Sequence, residues 1–432
     1  MKRFFYSPIV ISFLAVLSLQ SCKKDFGDLN SPTVEQFLGN ASQSQLNNLV
    51  SGAQSGMRTN IALYLDDVGS VGREIYRFSA SEPRYVTDLL GANGAPLTNS
   101  DFYITNPWAS RYQVVKNCNV LIQAATDSKL ITDAERSGYT GFARMSKAYQ
   151  LLLNLNLTDS NGIRIDVLNP DHLGPLVGYN DALAAISSLL DSAQTDLSTA
   201  SVVFPLAGFD GFADAPGLIK VDRALAARVD VYRGLWGNAL SDLGTSFFGL
   251  TQDFYLGVNH VFSTGSGDQI NPAFIPQNQN GEVRVAHPSY AADIETGDDR
   301  IGKATLRTAT ASLNGLSSNR DVWVYTSSTA DIPMIRNEEL ILIYAEAKIQ
   351  KGVFSDAVTA LNTIRSGHNL PVYSGTVDQP HLITEMLNQK RYSLFYEGHR
   401  WIDMRRYGLL GQLPIDRPGD VVWTEFPLPV SE

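Results

Sequence analysis

Apolar residues recur at three- and four-residue spacing along much of the chain, which is the pattern of amphipathic helices. The segments with this spacing are 114–125, 141–157, 181–197, 221–232, 236–243, 337–350, 355–366 and 379–406. Asn180 and Asp181 at the start of the third segment are typical helix-capping residues. The pattern predicts a predominantly all-α fold.

Long stretches with many aromatic, glycine and proline residues separate these helices, notably residues 60–110, 159–178, 203–218 and 245–335. Loops of this length inside a compact domain are usually functional. We therefore expect a helical scaffold with elaborated, aromatic-rich loops on its opposite face.

Two helix pairs resemble each other at an offset of 118 residues. The offset aligns Gly234 with Gly352, Trp236 with Phe354, Ala239 with Ala357, and Leu243 with Leu361. A helix, a glycine turn, an aromatic residue and an alanine-led second helix are typical of tetratricopeptide repeats. Consecutive 34-residue spacing is absent, so we predict degenerate repeats separated by insertions. The alternative is a chance likeness between two ordinary helical hairpins.

The first residues have the pattern of an export signal. Lys2 and Arg3 precede a 12-residue apolar run over 8–19, which is too short for a membrane-spanning helix of about 20 residues. The sequence Leu-Gln-Ser-Cys that ends at Cys22 resembles a bacterial lipobox, in which the cysteine receives acyl chains. We predict a lipoprotein signal peptide over 1–21 and lipid attachment at Cys22. The alternative is a plain signal peptide with an incidental cysteine.

Removal of residues 1–21 would take away Lys2, Arg3 and no acidic residue, leaving 411 residues with a formal charge of -12. The whole chain has 34 basic and 44 acidic residues, and this balance argues against a nucleic-acid binder. The second cysteine, Cys118, lies in an apolar stretch, and we expect it to be buried and inert. Residues 22–47 are predicted to form a polar tether and an N-terminal loop.

The sequence contains no recognisable catalytic motif. It has neither Gly-x-Ser-x-Gly nor His-Glu-x-x-His, and its six histidines form no pair at metal-ligand spacing. Residues 297–303 match the start of a phosphate loop, but Ala304 stands where magnesium binding needs Ser or Thr. Adjacent acids such as Asp66 and Asp67 could serve a glycosidase, and calcium binding stays open. We predict no catalytic residue, no metal site and no cofactor.

Several segments in this order resemble the SusD/RagB family of surface lipoproteins. They are Asp28–Thr33 after the cysteine, Trp108 with Tyr112, Val115 and Asn119, the Asp298-Asp299-Arg300 turn, Arg336–Glu339 with Ile343–Ala347, Arg391–Arg406, and Phe426–Pro429. The resemblance runs from Cys22 nearly to Glu432, and it implies a single SusD-like domain over 22–432.

The resemblance implies a function. Members capture nutrients, often glycans, and deliver them to a SusC-like TonB-dependent transporter in the outer membrane. We therefore expect a non-enzymatic protein on the cell surface, with an oligosaccharide or peptide ligand, a lipid anchor and no nucleic-acid partner. The alternatives are a lipid-anchored all-α glycoside hydrolase and a repeat adaptor that binds only protein.

Most residues of the family-like motifs are expected to be structural. Acidic and basic side chains on a mostly apolar helix would pair where repeats meet, and Glu346 is a candidate partner for one of the arginines. The residues for which we expect scaffold roles are Trp108, Tyr112, Asn119, Glu346, Arg391, Glu397, Arg400 and Asp403.

Aromatic residues in the loops are the candidate ligand contacts, because the apolar C–H face of a sugar stacks on a ring while its hydroxyls need polar partners. Trp323 and Tyr325 share one face of an extended stretch. The candidate ligand-binding residues are Asp67, Arg73, Tyr76, Arg84, Tyr85, Trp323 and Tyr325. The family resemblance implies that the segment 66–88 and the Trp323 segment converge. The alternative is that the rings pack beneath their own loops.

Overall fold

The structure is a computed structural model that describes residues 39–169 and 171–432. The predicted signal peptide, Cys22 and the segment Asp28–Thr33 lie outside this part. The helices are α1 Gln43–Arg58, α2 Ile61–Val71, α3 Phe102–Asp127, α4 Asp133–Thr158, α5 Tyr179–Leu197, α6 Ala215–Tyr232, α7 Trp236–Thr245, α8 Pro288–Asp293, α9 Asn337–Gln350, α10 Phe354–Gly367, α11 Gln379–Ser393 and α12 Arg400–Arg406. The predicted predominantly helical fold is confirmed.

Short strands complete the fold, and they fall in the excursions between helices. They are β1 Ile75–Phe78, β2 Ile163–Arg164, β3 Leu176–Val177, β4 Gly257–His260, β5 Val283–Ala286, β6 Ala304–Leu313, β7 Leu316–Val322 and β8 Ile332–Arg336. One antiparallel sheet has the order β1-β5-β7-β6, and β2–β3 and β4–β8 form separate pairs. The excursion 245–335 is therefore not simply a loop.

Some helices start earlier than apolar spacing alone indicates: α4 and α6 begin directly after the side-chain caps Thr132 and Asp214. The predicted tether over 22–47 is wrong at its C-terminal end, since α1 begins at Gln43. The Ser42 hydroxyl accepts from the Gln45 backbone N–H at 3.4 Å, and the Gln45 carboxamide accepts from the Ser42 N–H at 2.9 Å. This reciprocal capping box satisfies two backbone donors that the first helical turn leaves unpaired.

The repeat-like pairs are present as predicted. In α6–α7 and in α9–α10, the turn glycines Gly234 and Gly352 share a φ of 71°. Glycine adopts this left-handed conformation without steric cost, so each chain reverses in a few residues. Ala239 and Ala357 are fully buried, which allows the paired helices to approach closely.

The predicted helix over 379–406 is interrupted. The first part, α11, ends at Ser393, and α12 starts at Arg400; between them Tyr396 has φ 58° and Gly398 has φ 85°. Glu397 therefore does not neighbour Arg400 on a helix. It turns instead toward the end of β8.

A hydrophobic cluster extends through the helices from Ala41 in the N-terminal part to Phe426 near the C-terminus. Cys118 is fully buried in it, and burial raises the pKa of its thiol to about 12. The expectation of a buried, unreactive cysteine is confirmed. In the described part of the chain, no helix is long and apolar enough to cross a membrane.

Charged residues of α9, α11 and α12 form a buried network centred on Glu346. The Glu346 carboxylate accepts from Arg406 at 2.6 Å and from Lys390 at 3.1 Å. Both cations also contact Asp403. Glu346 and Asp403 therefore have the scaffold roles predicted for them, and the partner of Glu346 is Arg406.

Gly352→Ala should destabilise the protein by ~1–2 kcal/mol, the usual cost of a left-handed conformation for an L-residue. No atom lies within 4 Å of the added Cβ, so the backbone conformation alone determines the effect. Urea denaturation measures it. The matched control is Gly52→Ala in the exposed face of α1, also in open space, which should stabilise by ~0.5–1 kcal/mol. Equal effects at both positions would contradict the assignment of the turn.

Glu346→Gln should destabilise the protein by ~3–5 kcal/mol, because it removes one of the two carboxylates that neutralise the buried Arg406 and Lys390 and leaves only Asp403. Burial raises the pKa of Glu346, but Arg406 and Lys390 outweigh it and lower that pKa to about 2, from a usual value of 4.5. The wild-type advantage is therefore present above about pH 4.5 and disappears as the pH falls toward 2. Denaturation curves at several pH values measure this.

The control for Glu346→Gln is Asp356→Asn, which removes an exposed salt bridge to Lys348. It should destabilise the protein far less than Glu346→Gln, because solvent screens an exposed ion pair. A Glu346→Gln variant that is no less stable than this control would show that the buried network adds nothing to folding.

Candidate functional site

A surface cleft of about 540 Å³ lies where the chain leaves β7, beside the β4–β8 pair. Its walls come from the residues after β7, the helical turn 299–303, the end of β8 and the break between α11 and α12. We call it the Trp323 cleft. Its functionally relevant lining residues are Tyr255, Asp299, Lys303, Trp323, Tyr325, Asp331, Arg336, His368 and Glu397.

Two aromatic rings of the Trp323 cleft are held in fixed positions. Tyr255 is 76% exposed, and the guanidinium carbon of Arg336 lies 5.6 Å from the centre of its ring. The backbone N–H of Trp323 donates to the Lys303 carbonyl at 2.7 Å, and its ring lies 6.1 Å from that of Phe274. Trp323 itself is partly exposed. The cleft therefore offers ring surface that needs little ordering when a ligand binds.

Arg336 forms the base of the cleft and is almost fully buried. It donates two hydrogen bonds to the Glu397 carboxylate, both at 2.9 Å, and another to Glu338. A further bond at 2.6 Å reaches the Ser393 carbonyl at the end of α11. Burial opposes the charge, but Glu397 and Glu338 outweigh it and raise the pKa of Arg336 well above its usual value. The guanidinium is thus permanently charged and rigid.

His368 connects the base of the cleft to its rim. One ring nitrogen contacts Glu338 at 2.7 Å and the other contacts Asp299 at 2.8 Å. The Asp299 side chain is 48% exposed and remains available to solvent. On the opposite rim, burial and then Asp210 raise the pKa of the exposed Asp331 carboxyl. Both acids can accept hydrogen bonds from hydroxyl groups.

Trp323 and Tyr325 line the same cleft, in agreement with their placement on one face of the extended segment. Their environments differ. Tyr325 is 4% exposed, and its hydroxyl donates to the Tyr396 carbonyl at 3.2 Å. Burial raises the pKa of Tyr325 well above its usual value. Tyr325 therefore supports the cleft from beneath, whereas Trp323 reaches its surface.

Arg73, like Tyr325, is one of four predicted ligand contacts that the structure buries, and it has a scaffold role. It is 1% exposed, and its carbonyl partners are Ser70, Val71, Leu90, Pro414 and Val421. Burial lowers the pKa of Arg73. A guanidinium with this many backbone partners joins chain segments far apart in sequence and is not free to bind a ligand.

Asp67 and Tyr76 are buried as well, with 0% and 3% of their surface exposed. Neither carboxylate oxygen of Asp67 has a hydrogen-bond partner among the described residues, and burial followed by Asp66 raises its pKa well above the usual value. Burial and then Asp416 raise the pKa of Tyr76. The expectation that Asp67, Arg73 and Tyr76 face a ligand is therefore wrong. Their side chains have suitable groups for a sugar, but all three are buried in the interior.

Arg84 and Tyr85 are closer to the surface but belong to a separate cluster. Arg84 is 40% exposed on its side chain and pairs with Glu82 and Asp101, each at 2.6 Å. Tyr85 is partly buried, with its ring 5.1 Å from Phe102 in an edge-on contact. The charged groups of this cluster are paired with one another, and its rings are packed together.

The segment 66–88 and the Trp323 segment share one sheet, because β5 lies between β1 and β7. They do not share the cleft: all residues of 66–88 are described, and none of them lines it. Tyr396 links the two regions from below, since its hydroxyl donates to Asp66 while its carbonyl accepts from Tyr325. The two segments therefore meet in the sheet that supports the cleft, but they do not form one binding surface.

Sequence reasoning missed Tyr255, Asp299, Lys303 and Asp331 as cleft residues. Tyr255 lies in the aromatic excursion 245–335, but nothing local distinguishes it from buried rings nearby. Its contact in the cleft is the guanidinium of Arg336, which is 81 residues away in sequence. Among the described residues, no group of three His, Cys, Asp or Glu side chains is arranged to hold a metal ion.

Residues 276–420 match a family model described as the SusD family. This segment contains most of the Trp323 cleft. A curated relative, SusD-like protein P38 of Formosa agariphila, is 25% identical over 260 residues, which are 53% of this chain and 48% of that protein. The chain thus matches about half the length of this relative.

Solved structures share the fold over nearly the whole chain. A surface glycan-binding protein A from Bacteroides thetaiotaomicron, in complex with laminarihexaose, has a TM-score of 0.71 at 11% identity and covers 90% of this chain and 97% of its own. A SusD superfamily protein from Bacteroides vulgatus has a TM-score of 0.68 at 15% identity, with coverage of 90% and 96%. At these identities the likeness is one of fold. The matched segment, the curated relative and the shared architecture agree with the resemblance to the SusD/RagB family that the sequence motifs carry.

Proposed function

We propose that this chain captures an oligosaccharide at the cell surface and delivers it to a SusC-like TonB-dependent transporter in the outer membrane. The observation that carries the proposal is the exposed Tyr255 ring, fixed by Arg336 beside the partly exposed Trp323. A large ring that is 76% exposed gains from being covered by the apolar face of a ligand.

The chemistry of the Trp323 cleft suits a sugar better than a wholly apolar ligand. Tyr255 and Trp323 offer surfaces for C–H faces, and Asp299 and Asp331 offer acceptors for hydroxyl groups. The cleft volume of about 540 Å³ lies within the usual ~300–1,000 Å³ range of ligand sites. The Bacteroides thetaiotaomicron neighbour, solved with laminarihexaose, supports an oligosaccharide as the ligand class. A peptide is the second ligand class, since aromatic grooves also accept extended backbones.

We propose a binding role without catalysis. Hydrolysis of a glycosidic bond needs two carboxyl groups free to act as acid and as base or nucleophile. Of the acids that line the Trp323 cleft, Glu397 is held by two bonds from Arg336, and Asp299 is paired with His368. Among the acids of the cleft, this leaves Asp331 as the one carboxyl group not held by such a partner. This arrangement favours capture over cleavage.

The outer-membrane location rests on the sequence before the described part. Lipid attachment at Cys22 would anchor the protein without a membrane-spanning helix, and two or more acyl chains give durable anchoring where one does not. The negative formal charge, -10 for the whole chain, argues against a basic patch as the main anchor.

Tyr255→Ala and Trp323→Ala should each weaken oligosaccharide binding about tenfold, corresponding to ~1.4 kcal/mol for truncation of a ring at the centre of a binding surface. The measurement is isothermal titration of the mature protein with laminarihexaose and with a panel of purified polysaccharides and peptides. Leu306→Ala, which truncates an exposed side chain (64%) on β6, is the control and should leave affinity unchanged.

The same titration includes Tyr85→Ala to examine the separate cluster around Arg84. Loss of binding in this variant, with Tyr255→Ala unaffected, would move the site to that cluster and contradict the proposal. Release of sugar from a bound polysaccharide by the wild-type protein would instead favour the glycoside hydrolase alternative. Binding of protein only, with no sugar or peptide bound, would favour the repeat adaptor.

Cys22→Ala should release the protein from the membrane fraction, because it removes the predicted site of acylation. Fractionation of cells that express the full chain measures this, and mass analysis of the mature N-terminus identifies the modification. Ser21→Ala keeps the cysteine and should remain in the membrane fraction. Membrane association that survives Cys22→Ala would contradict lipid attachment at this residue. Co-purification of a TonB-dependent transporter with the tagged wild-type protein tests the partner.

A further inference from the structure

A second surface cleft, of about 520 Å³, lies beside α11 and α12, away from Tyr255 and Trp323. We call it the Arg400 cleft. Its walls combine two arginines with aliphatic side chains: Arg391, Arg400, Ile383, Leu387, Met404 and Leu409. The proposed sugar site does not use any of these residues.

Arg400 differs from the other arginines on its stretch of chain. Arg391 pairs with Asp293 at 3.0 Å, Arg405 with Asp159 at 3.0 Å, and Arg406 is held in the Glu346 network. Arg400 donates through Nε to the Gly72 carbonyl at 3.2 Å, and it forms no salt bridge with any residue in 39–169 or 171–432. Its two terminal nitrogens therefore have no protein acceptor in this part of the chain.

The electrostatic surroundings leave Arg400 short of negative charge. Burial and then Arg391 lower the pKa of Arg400 to about 10, so the group stays charged at neutral pH while its charge is disfavoured. The nearby Glu74 compensates little, because burial raises its pKa to about 8. Asp293 faces the same cleft but is engaged by Arg391. An anion placed at Arg400 would relieve this imbalance.

The rest of the wall indicates the body of the ligand. Ile383, Leu387 and Leu409 are partly exposed in the cleft, and Met404 lies beneath them at 8% exposure. Aliphatic surface of this kind gains by covering an aliphatic group, whereas the Trp323 cleft presents aromatic faces. Hydrogen-bonding groups such as Asn388 at the edge would help to orient a carboxylate.

We propose that the Arg400 cleft binds a carboxylate ligand with an aliphatic body. The terminal nitrogens of Arg400 hold the carboxylate, Arg391 adds positive charge while it stays bonded to Asp293 and Ser289, and the aliphatic body lies on the apolar wall of the cleft. Two sources share this chemistry: a free aliphatic acid, and the terminal carboxylate of a peptide that ends in aliphatic residues. The chain as a whole has a formal charge of -10 and repels anions at long range. The two arginines of the cleft attract an anion at short range.

Titration of the mature protein with octanoate, and separately with the peptide acetyl-Ala-Leu-Leu bearing a free carboxylate, tests this inference. Each is compared with its amide, which keeps the aliphatic body and removes the charge. We expect saturable binding of at least one carboxylate probe, at least tenfold tighter than its amide. Arg400→Gln should weaken it at least tenfold. The probe that binds more tightly identifies the source.

Arg320→Gln is the matched control, because Arg320 on β7 also donates to one backbone carbonyl and forms no salt bridge with a described residue. It should leave carboxylate binding unchanged. Arg391→Gln provides a second variant with the same expected loss should Arg400→Gln not fold. The inference is overturned if neither probe binds, if the amides bind as tightly, or if Arg320→Gln weakens binding as much as the cleft variants. Since laminarihexaose binding is measured separately at Tyr255, either site can fail without the other.

Discussion

The buried guanidinium of Arg336 is the interaction on which the candidate site depends. It stands where β8 ends and α9 begins, and its hydrogen bonds reach Glu338, Glu397 and the carbonyl of Ser393. A buried cation without partners costs several kcal/mol, so the surrounding segments must keep their carboxylates and carbonyls in place. The break between α11 and α12 brings Glu397 to this cation. The exposed ring of Tyr255 lies against the same guanidinium, so a buried charge contacts the ring of the cleft that is most exposed to solvent.

Arginines with carbonyl partners explain how such long excursions between helices can be ordered. Irregular segments cannot pair all of their backbone groups with one another, and buried unpaired groups are costly. Arg73 supplies donors to five carbonyls, and Arg111 supplies one at 2.8 Å to Met57 and another to Thr59. The planar fork of arginine suits this role better than lysine would. Only 18% of the residues are charged, and some of these few, such as Arg73 and Arg111, bind the carbonyls of irregular segments.

The helices were predictable because their signals are local, and the strands were not because theirs are weak. The segment 337–350 was predicted with the bounds that the structure gives, and the paired glycines revealed the helix–turn–helix units. The β6–β7 hairpin turns at Asn314–Gly315, both at positive φ, which is a strong hairpin signal. Leu313 and Leu316 flank this turn directly, but the Thr and Ser residues further along both strands give no clear apolar alternation, so the segment as a whole does not predict a hairpin. The interruption near Tyr396 lies within a helix-like apolar pattern, and the Arg336 that binds Glu397 in it is 61 residues away in sequence.

The binding surfaces were less predictable than the fold, because residue chemistry does not reveal exposure. Arg73 and Tyr76 have the right groups for a glycan site and lie in the interior, while Tyr255 has no distinctive context and lies outside. Burial at these positions is decided by partners far away in sequence. The segment 391–400 shows the same constraint most fully: Glu397 turns into the Trp323 cleft, while Arg391 and Arg400 line the other. In a continuous helix, the directions of these side chains would be fixed relative to one another by the 3.6-residue turn. Because the helix is interrupted, the side chains before and after the break are not bound by this relation. The positive φ at Tyr396 and the missing helical hydrogen bonds accompany the turn that brings Glu397 to Arg336, so the interrupted segment contributes residues to two clefts of different chemistry.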